Sequence, residues 1–155
     1  MHKYIATTTW RRASPDFTYE SYNRAHEVKF GGGEVVPWSG APEFKGDASR
    51  VNPEEAFVAS LSTCHMLTFL AIAARKRFTV DSYVDEAFGV MERNAEGRYW
   101  VSRVTLRPKV VFSGARQPST KEISELHHGA HDTCFIANSV RTDVQVDYDE
   151  AGNGD

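Results

Sequence analysis

Cysteine is scarce in this 155-residue chain, which has only Cys64 and Cys134. Two cysteines cannot staple a small secreted scaffold. In a reducing compartment they are buried thiols, metal ligands or a catalytic pair. Long apolar runs are also missing. The longest, "MLTFLAIAA", is interrupted by Thr68 and falls short of the ~20 residues that span a membrane. The opening "MHKYIATTTWRRAS" holds no apolar segment of a signal peptide. These absences predict a cytoplasmic protein with no membrane partner. There is no basic block and the net charge is −3, so nucleic acid is not an expected partner. With no repeat or linker, one domain is expected over 1–149, followed by a flexible acidic tail, 150–155.

An apolar fraction of 41% is enough for a core. "YIATTTW" (4–10) is β-prone. "YESYNRAHEVKF" (19–30) alternates as a strand and puts Arg24 on the more apolar face, beside Tyr22, His26, Val28 and Phe30. An arginine there needs a partner. The Gly- and Pro-punctuated stretch 31–50 reads as a long loop. A helix is predicted over 53–77. Asn52 is its N-cap, Pro53 its first residue, and Glu54 and Glu55 face the dipole in its first turn. Its apolar residues fall on nearly every face, which predicts burial in a core or between subunits.

A hairpin follows, with strands 82–93 and 98–112 turning at "NAEG". Trp100, Val104, Leu106, Val110 and Phe112 alternate inward against Arg103, Arg107 and Lys109, and Pro108 marks an edge or bulge. A second helix, 119–133, opens on Ser119 with Glu122 three residues on, a capping-box pattern. Ile123, Leu126, Ala130 and Cys134 share one stripe. A last strand within 138–148 turns Val140, Val144, Val146 and Tyr148 inward. The order predicts an α+β fold, helices on antiparallel sheet.

Each cysteine sits on the apolar side of a different helix. Packed helices bring them together as a pair that cycles between dithiol and disulfide, which requires a thiolate and a nearby cation. Two structural thiols are the plainer reading. A rival site is metal: His127, His131 and Cys134 have helical spacing, and Cys64 and His65 complete a tetrahedral set.

"NPEEAFVASLSTC" (52–64) resembles a motif of the OsmC/Ohr family, the osmotically inducible and organic hydroperoxide resistance proteins. In that motif a cysteine follows Asn-Pro-Glu by ten positions, as Cys64 follows Glu54. "AHDTCFIANS" (130–139) resembles the second motif, around Cys134. Phe135 stands where many relatives have proline and His65 where they often have phenylalanine, and "YNRAHEVKF" and "ELHHGAH" resemble a divergent OsmC-like branch.

The resemblance implies an intertwined α+β homodimer, its antiparallel sheets wrapped around two long central helices. It implies a peroxiredoxin-like, cysteine-based reductase of organic hydroperoxides that needs no cofactor or metal. Cys64 would be peroxidatic and Cys134 resolving. Glu54 would pair with an activating arginine, Arg24 or alternatively Arg50. Phe57, Leu61 and Phe135 would take the organic tail, and a dithiol reductant of lipoyl type would reduce the disulfide. His65 and His26 are accessory candidates without a role. The other readings are a Cys/His metal protein and a non-catalytic dimer. Ten residues of helix rise about 15 Å, so an unbroken helix keeps Glu54 from its own Cys64. Composite sites are expected, with Cys64 from one chain and Glu54 from the other.

Overall fold

The computed structural model describes residues 1–148, so the expected tail, 150–155, lies outside the described residues. The chain divides into two compact units, Met1–Ala56 and Phe57–Asp155.

In the first unit β1 (Ala6–Thr9), β2 (His26–Phe30) and β3 (Val35–Trp38) form an antiparallel sheet with β2 central. The strand expected over 19–30 is shorter than its alternation suggested. Residues 19–25 form turns and irregular chain, and Arg24 lies there rather than on a strand face. The expected loop 31–50 hides β3, because Pro37 and the Gly31–Gly33 turn mask its pattern. β3 is an edge strand, where a missing N–H is tolerated.

After β3 a 3-10 turn, Pro42–Phe44, folds back so tightly that a Cβ on Gly46 would lie 1.5 Å from the Gly40 carbonyl oxygen. Gly46→Ala must push backbone away from backbone. It is expected to cost about 1–3 kcal/mol. A fall of several degrees in melting temperature would show this, and an unchanged melting temperature would refute the close approach.

Helix α1 (Pro53–Arg75) starts as expected. Asn52 Oδ1 accepts from Glu55 N at 2.8 Å, and Glu55 reaches back to Asn52 N at 3.4 Å, a reciprocal cap. By length and composition, with mean hydropathy 1.7, the helix would reach across a bilayer, although no single apolar run in the sequence does. Its one buried stripe is Leu61, His65, Phe69 and Ala73, spaced by four. A histidine in that stripe, hydrogen-bonded to a second buried histidine, makes it a packing face. The expected all-round burial is not met within one chain, because Ala59, Thr63, Leu67 and Ala71 on another stripe are exposed.

The predicted hairpin is bent into two sheets. Its first arm divides into β4 (Thr79–Asp85) and β5 (Phe88–Arg93), and its second into β6 (Tyr99–Leu106) and β7 (Pro108–Ser113). β4 pairs with β7 and β5 with β6, both antiparallel. Asp85 sits at the bend, where Oδ1 accepts from Arg107 N at 2.6 Å and Oδ2 from Ser62 Oγ at 2.5 Å. Trp100, Val104, Leu106, Val110 and Phe112 are buried or half-buried, while Arg103, Arg107 and Lys109 are exposed, as the alternation requires.

Helix α2 (Thr120–Thr133) has the Ser119–Glu122 capping box in full. The last strand, β8 (Asp143–Val146), is shorter than expected because a 3-10 turn, Ala137–Ser139, takes the preceding residues. It pairs parallel to β6, whereas the other strand-to-strand ladders among the described residues of this α+β fold are antiparallel.

Two clusters fill the second unit. One gathers Phe69, Phe78, Phe112, Ile123 and Leu126. The other centres on Leu61, Val104 and Leu106. His65 falls between them on α1, one turn from Leu61 and one from Phe69.

Candidate redox site

Cys64 is half-buried on α1, and Cys134 is buried where α2 ends. The chain folds so that these residues, far apart in sequence, meet. The two side chains lie close enough that Cys64 acts on the Cys134 thiol. Burial first, then the neighbouring Cys64, push the Cys134 thiol up from its usual value. The Cys134 thiol therefore holds its proton at neutral pH. Ala137 N–H donates to its Sγ at 3.4 Å from the following 3-10 turn. Two hydrogen bonds from Asn138 hold the Cys134 carbonyl, at 3.0 and 3.1 Å. The second motif thus builds a rigid seat for this sulfur.

His65, left without a role by the sequence, is 1% exposed. Its Nε2 lies 3.2 Å from Nδ1 of His127, which is 3% exposed. The two rings are stacked. Tyr148 stacks on His127 with centroids at 4.2 Å, and Phe69 meets the same ring at 4.5 Å. Burial is the main reason that both imidazoles resist protonation. His65 is lowered to about 4, with help from the nearby His131, and His127 to about 3. A signal for this pair was present in the sequence, since His65 continues the four-residue spacing of Leu61, Phe69 and Ala73.

The arrangement does not assemble the ligands of the rival metal reading. His127 turns to His65, and among the described residues no group of three or more His, Cys, Asp and Glu side chains converges as a metal site.

Leu61 is fully buried against Val104 and Leu106, so the chain leaves it no surface for a substrate. Phe57 lines a cavity of about 320 Å³ with Trp100, Val101, Val140 and Arg141. Phe135 is 80% exposed beside Cys134. In the first unit the Arg24 guanidinium donates to the Tyr22 and Tyr19 carbonyls at 2.7 and 2.6 Å and lies over the Tyr22 ring at 3.9 Å. Its Nε is buried without a hydrogen-bond partner among the described residues, as is Glu54 Oε2. Arg50 pairs with Asp47 at 3.3 Å. His26 Nδ1 lies 2.8 Å from the Arg24 carbonyl. Helix α1 is unbroken between Glu54 and Cys64, so about 15 Å of helix rise separates them.

An α+β fold with two cysteines meeting between its two helices defines a class of thiol protein. Residues 46–149 match the family described as OsmC-like protein, and the chain belongs to that family. An OsmC-like protein of unknown function from Vibrio cholerae is 45% identical, with a TM-score of 0.93 over 96% of this chain and 100% of that one. The fold also matches the organic hydroperoxide resistance protein of Elizabethkingia anophelis, at TM-score 0.71 and 18% identity over 96% and 94% of the two chains. The corresponding protein OhrB of Bacillus subtilis gives 0.67 and 17% over 96% and 98%. No curated protein matches the sequence.

Proposed function

We propose that the chain is a thiol-dependent peroxidase that reduces organic hydroperoxides to alcohols. The observation that carries this is the meeting of a half-buried Cys64 with a buried, protonated Cys134. The Cys64 thiolate attacks the terminal oxygen of ROOH. The O–O bond breaks, the alkoxide leaves and takes a proton to become ROH, and Cys64 becomes a sulfenic acid. The Cys134 sulfur then attacks the Cys64 sulfur. Hydroxide leaves, takes the Cys134 proton and departs as water, and an S–S bond remains. An external dithiol restores both thiols by exchange. Phe57 and Phe135 offer apolar surface for the organic group. The family and the hydroperoxide resistance proteins that share the fold support this reading.

The proposal extends to a homodimer in a reducing compartment, with residues 1–149 of each chain acting as one OsmC-like domain. Arg24 and Glu54 each hold an unpartnered buried atom, which favours a charged site completed by a second chain. Arg24 would then orient the peroxide and stabilise charge on the leaving oxygen.

The test is a thiol titration. Reduced protein treated with one equivalent of cumene hydroperoxide is expected to lose both thiols. Cys64→Ser should lose none, and Cys134→Ser should stop at a trappable sulfenic acid. Wild-type thiols that survive the peroxide would end this reading.

A further inference from the structure

We infer that His65 and His127 are positioning residues that hold Cys64 and Cys134 together, and that charge on the histidine pair and union of the cysteines oppose each other. The inference rests on the redox pairing proposed above.

The geometry begins with the seam between α1 and α2. Cys64 meets Cys134 at one end, and Lys76 Nζ meets Glu125 Oε2 at 3.0 Å at the other, so the helices run antiparallel. His65 directly follows Cys64 on α1. His127 precedes Cys134 by seven residues, two turns, which puts both on the same face of α2. The imidazole contact at 3.2 Å therefore bridges the same seam as the sulfur contact.

A neutral pair is satisfied there, because one ring N–H donates to the other ring's lone pair. A charged pair is not. The titratable groups around it are Cys64 next to His65 on α1, His128 and His131 on α2, Asp85 on β4 and Tyr148 after β8, with Tyr83 of β4 against Phe69. His131 would add repulsion. Asp85 offsets part of that repulsion, but its carboxylate is already held by Ser62 and by Arg107 N at the hairpin bend. The Tyr148 hydroxyl is 3.0 Å from Ser124 Oγ. Tyr83 hydroxyl has no hydrogen-bond partner among the described residues, and burial holds it protonated. No carboxylate contacts the imidazoles among the described residues, so a proton on the pair must be met by water. A cavity of about 270 Å³, lined by Ser124, His127, His131 and Tyr148, brings solvent to the His127 side of the pair and not to His65. Hydrating them fully requires α1 and α2 to part, and that separates the sulfurs. A disulfide forbids the parting. Such coupling is reciprocal: if protonation disfavours the disulfide, the disulfide must disfavour protonation by the same factor.

The test reads that reciprocal effect in the unmutated chain. Oxidised glutathione joins the cysteines, two thiols giving one disulfide while the reagent becomes two reduced glutathiones. The ring nitrogens of His65 and His127 are then titrated by long-range 1H–15N correlation in the dithiol and disulfide forms. The pair is expected to bind protons at least tenfold more weakly in the disulfide form. Equal midpoints in the two forms overturn the inference while leaving the redox pairing standing. Thiols that fail to join at all take down both. As a second measurement, His127→Gln keeps a hydrogen-bond partner for His65 and should still join its cysteines at neutral pH, where His127→Ala should do so at least tenfold more slowly. Equal rates in those two variants also count against positioning.

Discussion

Between pH 7 and pH 4 the folded chain is expected to lose about 6 kcal/mol of stability through His65 and His127. The sign follows from where the protons bind. Unfolded imidazoles titrate near their ordinary 6.5, while the folded ones are lowered to about 4 and about 3. The stability of the neutral pair is therefore complete above pH 6.5. It drains as the pH falls, because the unfolded chain takes up protons that the folded chain refuses, and the loss levels off below the folded values. Each pKa unit is worth about 1.4 kcal/mol, so a displacement of two units or more costs about 3 kcal/mol per ring. That is comparable with the whole stability of many domains. Asp47 and Glu122 are also lowered, by local hydrogen bonds, but Asp47 is exposed and Glu122 half-exposed at the surface, so their part is small. Urea midpoints measured from pH 7 to pH 4 read the loss. The double variant His65→Leu/His127→Phe keeps apolar bulk without titration and should show a much flatter profile. A wild-type midpoint that does not move with pH, or a double variant that falls as steeply, would remove the buried pair as the cause.

The elements visible in the sequence are those whose pattern is local. Both caps read correctly because Asn52 and Ser119 satisfy donors three residues away, and the inward face of β6 and β7 read correctly because alternation survives the bend. Three features depended on distant partners and were hidden. The division of the hairpin arms is fixed by Asp85, which binds a helix hydroxyl and a backbone N–H on the other arm. β3 carries Pro37, which only its edge position excuses. The parallel pairing of β8 with β6 leaves no trace in a strand of four residues.

The site was legible unevenly for the same reason. Motif spacing pointed to Cys64 and Cys134, and the fold brings them together. Helical spacing also pointed to His127 and His131 as a ligand pair. Spacing along one helix cannot say what the opposite helix presents, and α1 presents His65. Arg24 was placed on a strand face by alternation through residues 19–25, where the chain instead turns and fastens the guanidinium to its own carbonyls.

Mixing two inactive variants is expected to restore activity if the proposed dimer has composite sites. Helix α1 exposes Ala59, Thr63, Leu67 and Ala71, with Leu67 59% exposed, an apolar stripe that a second chain would cover. The protein should therefore run at twice its 17.4 kDa chain mass. Leu67→Asp puts a charge on that stripe without touching the chain's own core, and should drive it to monomer or out of solution. The stronger test concerns the site itself. Helix rise keeps Glu54 about 15 Å from its own Cys64, so a Glu54 that serves peroxide reduction must serve the other chain's cysteine. Cys64→Ser and Glu54→Ala homodimers should each be inactive, since every site in them lacks one group. In a mixed dimer one site has both groups and the other has neither. Unfolding the two variants together and refolding them at equal amounts makes half the dimers mixed, with one working site in each. About a quarter of wild-type activity should then return. A mixture no more active than its parents, or a wild-type chain that stays monomeric at working concentration, would defeat the composite site and place any role of Glu54 back within its own capped helix start.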